Sequence, residues 1–447
     1  MHERSPLFYQ TRAALPTVER GEGVWLIDRD GGRWLDGCSG AVVANLGHGH
    51  PDIIAAMRRQ AEKVAFAYRT QFENEPAIEL GRALADRLHQ GLNRTFFVSG
   101  GSEAVETAIK LARSYHAARG DDSRYRIVSR FPSYHGSTLG ALAATGYRPL
   151  TDGYAPMMVQ SHHVAASTCY RCPFGLSYPD CQLACAQDLE RALEALDPTT
   201  VAAFVFEPIG GASTGAIVPP DAYFGTIREI ARRHGILVIY DEVMSGAGRT
   251  GAFCAHQHWE PDAHVDILTM SKGLGAGYTP LGAVVCRDEI AETVLDAGAF
   301  PHGFSYAGNP LSCAVGLEVL NVLARDGLVE RAADVGEKLG DALRELAERH
   351  PIVGDVRGKG MLWGLEFVAD RESRTPFPME AAAAQQVTLA AAGERLLIYP
   401  RKGGGGLAGD HALVAPPLTI SGDEIEELLA RLDRALSRAE AQLGIAA

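Results

Sequence analysis

A single lysine, Lys272, stands in the stretch "VDILTMSKGLGAGYTPLGAVV" (265–285), between an apolar run and a glycine-rich turn. The chain has six lysines against thirty-six arginines, so a position that needed only positive charge would be expected to hold arginine. An amine, unlike a guanidinium, can lose its proton near neutral pH and attack a carbonyl carbon. The residue type therefore allows nucleophilic or proton-transfer chemistry at Lys272, although a lone lysine near a strand end is most often an ordinary surface residue.

A second chemical signal is the segment "SGGSEA" (99–104), which follows the apolar run "TFFV" and opens a helical pattern. Its two glycines would let the backbone approach a ligand closely, its free amides would point outward, and the Ser102 hydroxyl would add a further donor. This combination is typical of a phosphate site. An ordinary helix start, with Ser102 and Glu106, explains the segment equally well, so both interpretations stay open at this point.

Two other apolar runs also end in polar residues. Asp241 follows "ILVIY", and a carboxylate at the end of a buried strand requires a cationic or hydrogen-bonding partner. A helix cap or a surface pair with Arg249 would be the alternative. The segment "SYHGST" places Tyr134 and His135 at the end of another run, where Tyr134 offers either a flat face for a ligand or simple packing.

Strands and helices must hold these groups in place. In residues 94–285 short apolar runs alternate with helical patterns, which predicts alternating strands and helices. Such a pattern is typical of an α/β protein with a mostly parallel sheet covered on both faces, which binds ligands beyond the carboxyl ends of its strands. The polar residues that follow the runs should therefore meet at one edge. The runs predicted as strands are "TFFV" (95–98), "YRIVS" (125–129), "VAAFVFE" (201–207), "ILVIYDE" (236–242), "VDILTMS" (265–271) and "LGAVVC" (281–286).

An amine, a buried carboxylate, an aromatic face and a phosphate cradle at one edge would suit a phosphorylated, cationic aromatic ring that condenses with an amine. Pyridoxal 5′-phosphate has this chemistry. A nicotinamide-dependent oxidoreductase is the rival from another class, but "SGGSEA" lacks the G-x-G-x-x-G spacing, and that reaction leaves Lys272 without a role. A non-catalytic binding protein would not need Lys272 and Asp241 together.

The flanking segments and the composition complete the prediction. Residues 23–38 alternate apolar and polar around a hairpin turn, and the pattern becomes helical after Pro310. We predict an N-terminal segment (1–60) that packs with the small domain, a large cofactor-binding domain (61–310) and a small C-terminal domain (311–447). The net charge of −13 argues against nucleic acid or an anionic membrane surface as the main partner. The sequence shows no apolar leader and no apolar run of membrane length, so we expect a cytoplasmic protein.

The order of these motifs resembles that of the class III aminotransferases, a branch of the fold-type-I pyridoxal-phosphate enzymes. The similarity covers nearly the whole chain, from "WLIDRDGGRWLDGCSG" through "SGGSEAVETAIKLAR", "DEVMSGAGRTG" and "TMSKGLGAGYTPLGAV" to "APPLTIS". The resemblance implies a large, mostly parallel sheet of seven strands and a smaller α+β domain. It also implies transfer of an amino group from an amine or an ω- or α-amino acid to pyruvate or 2-oxoglutarate by a ping-pong mechanism, in a homodimer with shared active sites.

The same resemblance implies roles for individual residues. Lys272 would attach the cofactor through an imine and then act as the catalytic base, Asp241 would pair with the ring nitrogen, and Tyr134 would stack on the ring. Ser305 stands where the family has a threonine, just before "GNP", that reaches the phosphate of the neighbouring subunit, so the hydroxyl is kept. The further cofactor-binding residues implied are Gly101, Ser102, His135, Glu207 and Met244.

The substrate side departs from the family patterns. Ala212 in "EPIGGAS" replaces a glutamate that members using 2-oxoglutarate typically carry, and with Met244 it resembles the amine–pyruvate branch. Yet Val42 and Tyr399 stand where that branch usually has tryptophan and arginine. Arg401 is therefore the candidate anchor for a substrate carboxylate, with a solvated residue beside the glycine run (403–406) as the alternative. A racemase, an aminomutase or a decarboxylase would share the same cofactor constellation.

Four of the eight cysteines form an insert with the spacing C-x2-C-x8-C-x3-C, in "CYRCPFGLSYPDCQLAC". Four thiolates in one loop could form a zinc site or an iron–sulfur site. The spacing matches such sites only loosely, so the sequence favours buried free thiols in a lid loop and predicts no metal site. The residues concerned are Cys169, Cys172, Cys181 and Cys185.

Overall fold

The computed structural model describes residues 6–9, 15–403 and 409–445, so part of the glycine run (404–406) lies outside the described residues. The strands are β1 (Val18–Glu22), β2 (Trp25–Asp28), β3 (Arg33–Asp36), β4 (Leu92–Val98), β5 (Arg126–Phe131), β6 (His162–Ala165), β7 (Val201–Phe206), β8 (Leu237–Asp241), β9 (Ile267–Met270), β10 (Gly282–Arg287), β11 (Val353–Lys359), β12 (Leu362–Asp370), β13 (Thr375–Pro376), β14 (Leu396–Leu397), β15 (Tyr399–Arg401) and β16 (His411–Val414).

The α-helices are α1 (Ser39–Val42), α2 (Pro51–Lys63), α3 (Glu75–Ala85), α4 (Gly101–Ala118), α5 (Leu139–Ala144), α6 (Arg148–Thr151), α7 (Ala184–Leu196), α8 (Ala222–His234), α9 (Asp288–Asp296), α10 (Pro310–Arg325), α11 (Leu328–Arg349), α12 (Ala383–Gly393) and α13 (Gly422–Leu443). Short 3₁₀ segments occupy Asp152–Met157, Cys169–Arg171, Pro198–Thr200, Ala255–Trp259, Lys272–Leu274 and Met379–Ala381. Among the described residues, no helix is both long enough and apolar enough to cross a membrane.

A seven-stranded sheet forms the centre of the protein, in the order β4-β10-β9-β8-β7-β5-β6. Its neighbouring strands are parallel, except that β10 runs antiparallel to both β4 and β9. Along β7, Phe204 and Phe206 belong to one hydrophobic cluster, while Ala203 and Val205 belong to another. Alternate side chains of a strand point to opposite faces, so the sheet is packed on both sides. The predicted α/β fold is confirmed.

Each of the six predicted runs contributes a strand to this sheet. The seventh strand, β6, was not predicted, because its four residues begin with His162 and His163 and carry no apolar run. Among the described strands, β5 is its one partner, so it lies at the edge of the sheet, where polar side chains are tolerated.

The N-terminal hairpin and the C-terminal region are in direct contact. Strand β3 pairs in parallel with β14, with Leu35 opposite Leu396, and the Trp25 indole donates a hydrogen bond of 3.0 Å to Glu424 of α13. A second sheet, in the order β11-β12-β16-β15, is built entirely from this C-terminal region. The domain boundaries at residues 60 and 310 stay a prediction.

Candidate active site

A cavity of about 140 Å³ opens at the carboxyl edge of the central sheet. Lys272 enters it from the turn after β9, Asp241 from the end of β8, and Ser102 from the first turn of α4. These side chains are far apart in the sequence, and the topology of the sheet brings them together as the edge rule predicts. The lining residues are Gly101, Ser102, Tyr134, His135, Gly136, Glu207, Ile209, Ala212, Asp241, Val243, Met244 and Lys272.

Lys272 has an unusual backbone conformation. Its φ is 45°, in the left-handed region that is costly for a residue with a Cβ. Gly273 follows, and a Cβ at that position would overlap the side-chain amide of Asn45. The tight turn that holds Lys272 at the cavity therefore requires the glycine that follows it.

The surroundings of Lys272 favour its neutral form. Burial lowers the pKa of the Lys272 amine from 10.5 to about 8. The negative charges of Asp241 and Glu207 oppose this shift, while the positive charge of Arg401 adds to it. Near pH 8 a substantial fraction of the amine is therefore unprotonated, as attack on a carbonyl carbon requires.

Asp241 is buried, and both of its carboxylate oxygens are held in place. Oδ2 lies 2.8 Å from Nδ1 of His135, and Oδ1 accepts hydrogen bonds from the Val243 amide at 3.1 Å and the Thr269 hydroxyl at 3.3 Å. The partner that the sequence demanded for Asp241 is thus His135. Arg249 instead lies elsewhere, donating to the Asn45 side chain at 2.7 Å. Such a fixed carboxylate is suited to hold a cationic group of a ligand.

Glu207 organises the loop that follows β7. Its Oε1 accepts a hydrogen bond of 2.7 Å from the Gly211 amide, and Oε2 accepts a longer one of 3.4 Å from the Tyr134 amide. Burial raises the pKa of Glu207, and the nearby Asp241 charge adds to the rise, whereas His135 and Arg130 oppose it. Glu207 therefore ties the segment that carries Tyr134 to the segment that carries Ala212.

The N-terminus of α4 forms the other end of the cavity. Gly101 and Ser102 are its first two residues, and the first amides of a helix have no partner within the helix. The Ser102 hydroxyl accepts a hydrogen bond of 3.0 Å from the Ser137 amide. A Cβ on Gly136 would lie 2.7 Å from the Ser102 hydroxyl oxygen, and one on Gly101 would lie 2.8 Å from a Val243 methyl. The small residues therefore keep this end open for an anionic group.

Sequence reasoning missed three residues that line the cavity, namely Gly136, Ile209 and Val243. Val243 directly follows the Asp241-Glu242 pair, and this position was the only signal that could have identified it. Met244 and Ala212, which were predicted, also lie in the wall, and both are buried.

Four other predicted residues do not line this cavity. Ser305 is exposed in a turn before α10. Val42 is almost fully buried in the hydrophobic core, with a φ of 59°. Tyr399 and Arg401 lie together on β15, where the Arg401 guanidinium donates a hydrogen bond of 2.9 Å to the Tyr399 hydroxyl. That guanidinium also lies 5.7 Å from the centre of the Tyr147 ring, and its positive charge contributes to the lowered pKa of Lys272.

Comparison with known proteins identifies a family whose chemistry agrees with the geometry of the cavity. A family model described as aminotransferase class III matches residues 9–436. The uncharacterized aminotransferase YodT of Bacillus subtilis is 39% identical over 433 residues, which cover 96% of this chain and 97% of that protein. The putrescine–pyruvate aminotransferase of Pseudomonas aeruginosa is 34% identical, covering 95% of this chain and 91% of its own length.

A solved structure agrees with these matches. The thermostable (S)-enantioselective omega-transaminase from Thermomicrobium roseum superposes with a TM-score of 0.91 and is 39% identical. The match covers 97% of this chain and 96% of that one.

Proposed function

Since this chain belongs to the class III aminotransferase family, we propose that it moves an amino group from an amine or an amino acid to pyruvate or 2-oxoglutarate. The family depends on pyridoxal phosphate, and the chain is an enzyme of the transaminase type. The observation that carries the proposal is the cavity in which the Lys272 amine, with its lowered pKa, meets the fixed Asp241 carboxylate.

The residues around the cavity fit this cofactor. The open end at Gly101 and Ser102 suits a phosphate, since a Cβ at Gly101 or Gly136 would close it. Asp241 suits the ring nitrogen, and Tyr134 and Val243 offer surfaces for the ring. Lys272 supplies the amine that attaches the aldehyde carbon. His135, Glu207 and Met244 complete the proposed binding site by holding or lining these groups.

Lys272 has two proposed tasks. Its unprotonated Nζ would hold the aldehyde carbon of the cofactor. The same Nζ would act as the general base for the substrate carbon that carries the nitrogen. When bound, the cofactor supplies an electron-withdrawing ring conjugated to the substrate nitrogen.

Asp241 and Tyr134 act on the ring rather than on the substrate. The Asp241 carboxylate, held by His135 and Thr269, would stabilise a proton on the ring nitrogen of the cofactor and so favour withdrawal of electrons into the ring. Tyr134, partly buried at the cavity wall, restricts the orientation of the ring. The reaction proceeds in two halves, with donor product leaving before the keto acid binds.

The pKa of Lys272 makes cofactor uptake dependent on pH. Since protonation blocks the amine and its pKa is about 8, the rate constant for uptake of pyridoxal phosphate by cofactor-free protein should rise about tenfold from pH 6 to pH 7 and level off above about pH 9. Stopped-flow absorbance at a fixed cofactor concentration measures this rate. A rate that stays constant across the range would contradict the assigned state of the amine.

Arg401 is the proposed anchor for a substrate carboxylate. It is the cation whose charge acts on Lys272, and its hydrogen bond to Tyr399 and its position beside the Tyr147 ring hold the guanidinium near the cavity. Ala212 is a small side chain in the cavity wall, where it would face an apolar part of the donor, whereas Val42 is buried in the core. The solvated alternative is disfavoured because Arg401 is only partly exposed.

Replacing Arg401 with methionine should raise KM for pyruvate about 10- to 100-fold, because a hydrogen bond to a charged group contributes about 1.5–3 kcal/mol. The KM for an amine donor without a carboxylate should remain nearly unchanged. Steady-state kinetics with both substrates measures the difference. Equal losses for the two substrates would point to a structural role for Arg401 and against an anchor.

We also propose that the protein works as a cytoplasmic homodimer. Ser305 is exposed and lies outside the cavity of its own chain, as expected of a residue that reaches the phosphate site of a partner. Phe66, Phe72 and Tyr306 are exposed apolar side chains, and a subunit interface would cover them. A reducing compartment would keep the eight cysteines as thiols.

A screen of donors and acceptors tests the proposed reaction. Protein loaded with pyridoxal phosphate is incubated with single amines or amino acids, with and without pyruvate or 2-oxoglutarate. Aminotransfer predicts one equivalent of new amino acid for each equivalent of carbonyl product, and parallel lines in double-reciprocal plots. Inversion of a chiral amino acid in the absence of any keto acid, or release of carbon dioxide, would instead establish the racemase or decarboxylase alternative.

A further inference from the structure

Residues 168–185, which follow β6 and end in the first turn of α7, carry four thiols that have no part in the proposed function; we refer to this segment as the cysteine loop. Cys169, Cys172, Cys181 and Cys185 all line one small cavity of about 20 Å³. A space of this size holds about one water molecule or one ion. We propose that the cysteine loop binds a single Zn²⁺ through these four sulfur atoms.

The rest of the cavity wall supports a soft metal ion. Its other residues are uncharged, and Pro173, Leu176 and Leu183 among them are apolar. The wall therefore offers thiol ligands and neither carboxylates nor amines. Thiolates prefer zinc or iron–sulfur clusters over magnesium or calcium, and the small volume favours one ion over a cluster.

The backbone of the loop brings the two cysteine pairs toward one another. Cys169 lies at the start of a 3₁₀ segment, and a turn after it is closed by a hydrogen bond of 3.0 Å from the Gly175 amide to the Cys172 carbonyl. Between Cys181 and Cys185 the chain reverses at Gln182 and Leu183, which have φ values of 47° and 56°. Two local turns thus present a C-x2-C pair and a C-x3-C pair to the same cavity.

The sulfur atoms must move closer together to hold the ion. Among the described residues, the three potential metal-ligand atoms that already lie within 4.8 Å of one another belong to Glu242, Cys254 and His256, and not to the cysteine loop. In that group Glu242 accepts hydrogen bonds from the amide and the ring of His256 at 2.8 and 3.0 Å. In the cysteine loop, zinc would draw the sulfurs to about 2.3 Å from the metal.

A bound ion would also stabilise a contact between the loop and the C-terminal sheet. Arg171 of the loop pairs with the buried Glu366 of β12, and Glu366 pairs at 2.7 Å with Arg357. Arg357 in turn donates to the carbonyl oxygens of Thr214 and Gly215 at 2.9 and 2.8 Å. These lie shortly after Ala212, which lines the active-site cavity. The metal would therefore support the wall of the active site from outside it.

Metal analysis of the full-length holoenzyme, expressed without an affinity tag that binds metal, tests the proposal. We expect one zinc per chain by elemental mass spectrometry, and loss of that zinc in the Cys169→Ser/Cys181→Ser double variant. Cys286→Ser is the matched control, since Cys286 is a buried thiol on β10, outside the loop, and it should keep the full zinc content.

A second measurement on the unaltered protein does not depend on whether the double variant folds. Chelation should release the zinc and make four additional thiols reactive toward Ellman's reagent, and added Co²⁺ should then give the visible ligand-field bands of a tetrahedral site. The pyridoxal phosphate spectrum monitors integrity of the fold throughout. Protein that contains no zinc and gives no such cobalt spectrum, iron in place of zinc, or disulfides within the loop would each overturn the proposal.

Discussion

Replacing Lys272 with alanine should lower kcat by about 10⁴-fold, the upper end of what a positioned general base contributes. The change removes the amine that we propose as both the attachment point and the base, and among the described residues no other lysine lines the cavity. The phosphate end, with Gly101 and Ser102, and the Asp241–His135 pair remain intact in the variant. Bound cofactor should therefore stay detectable by its absorbance, although turnover is lost.

Two further variants sharpen this result. Lys272→Arg keeps a positive charge but not an amine that can lose its proton, so it should be as inactive as the alanine variant. Lys110→Ala changes an exposed lysine on α4, so it should retain full activity. The assigned role of Lys272 would be wrong if the alanine variant kept more than a few per cent of the original kcat, as judged by single-turnover kinetics.

Replacing Asp241 with asparagine should lower kcat by about 10²- to 10³-fold, as expected when a group that stabilises developing charge is lost. Asparagine keeps the shape of the side chain and can still bond to His135 and Thr269, but it cannot stabilise a proton on the ring nitrogen. Steady-state kinetics with saturating cofactor measures the loss. Asp262→Asn is the control, because that carboxylate lies at the surface and pairs with Arg228 at 3.1 Å.

A cofactor analogue distinguishes an electrostatic role from a structural one. Pyridoxal phosphate methylated at its ring nitrogen carries a permanent positive charge, and the smaller side chain of Asp241→Ala leaves room for the methyl group. The analogue should therefore restore part of the activity of the alanine variant. If the alanine variant is folded and the analogue gives no recovery, the role of Asp241 lies in holding His135 and the cavity wall rather than in charge.

The positions of the central polar groups could be predicted from sequence because each lies at the end of an apolar strand or within three residues of it. Lys272, Asp241 and Tyr134 follow such runs, and a parallel sheet places all the carboxyl ends at one edge. The partner of Asp241 could not be predicted in this way. His135 lies 106 residues earlier, and the pairing depends on the order of β8, β7 and β5 in the sheet.

Other parts of the site carry no chemical signal in the sequence. Val243 and Gly136 line the cavity through their shape, so nothing in their residue types distinguishes them from core or turn residues. The effect of the Arg401 charge on the pKa of Lys272 depends on where β15 lies, and β15 is positioned by its pairing with β16 in a different sheet. No local sequence pattern predicts that pairing. The cysteine spacing predicted only that a metal was possible, and the shared cavity was visible only once the loop was folded.

The central claim is that Lys272 is the amine that attaches the cofactor. Identifying the lysine to which the cofactor is attached tests this claim most directly. Purified protein is incubated with pyridoxal phosphate, its covalent link to the cofactor is reduced with borohydride, and the digest is sequenced by mass spectrometry. We predict one modified peptide, with the cofactor on Lys272 within "TMSKGLGAG". Modification of another lysine in its place, or no modified peptide from active protein, would contradict the account.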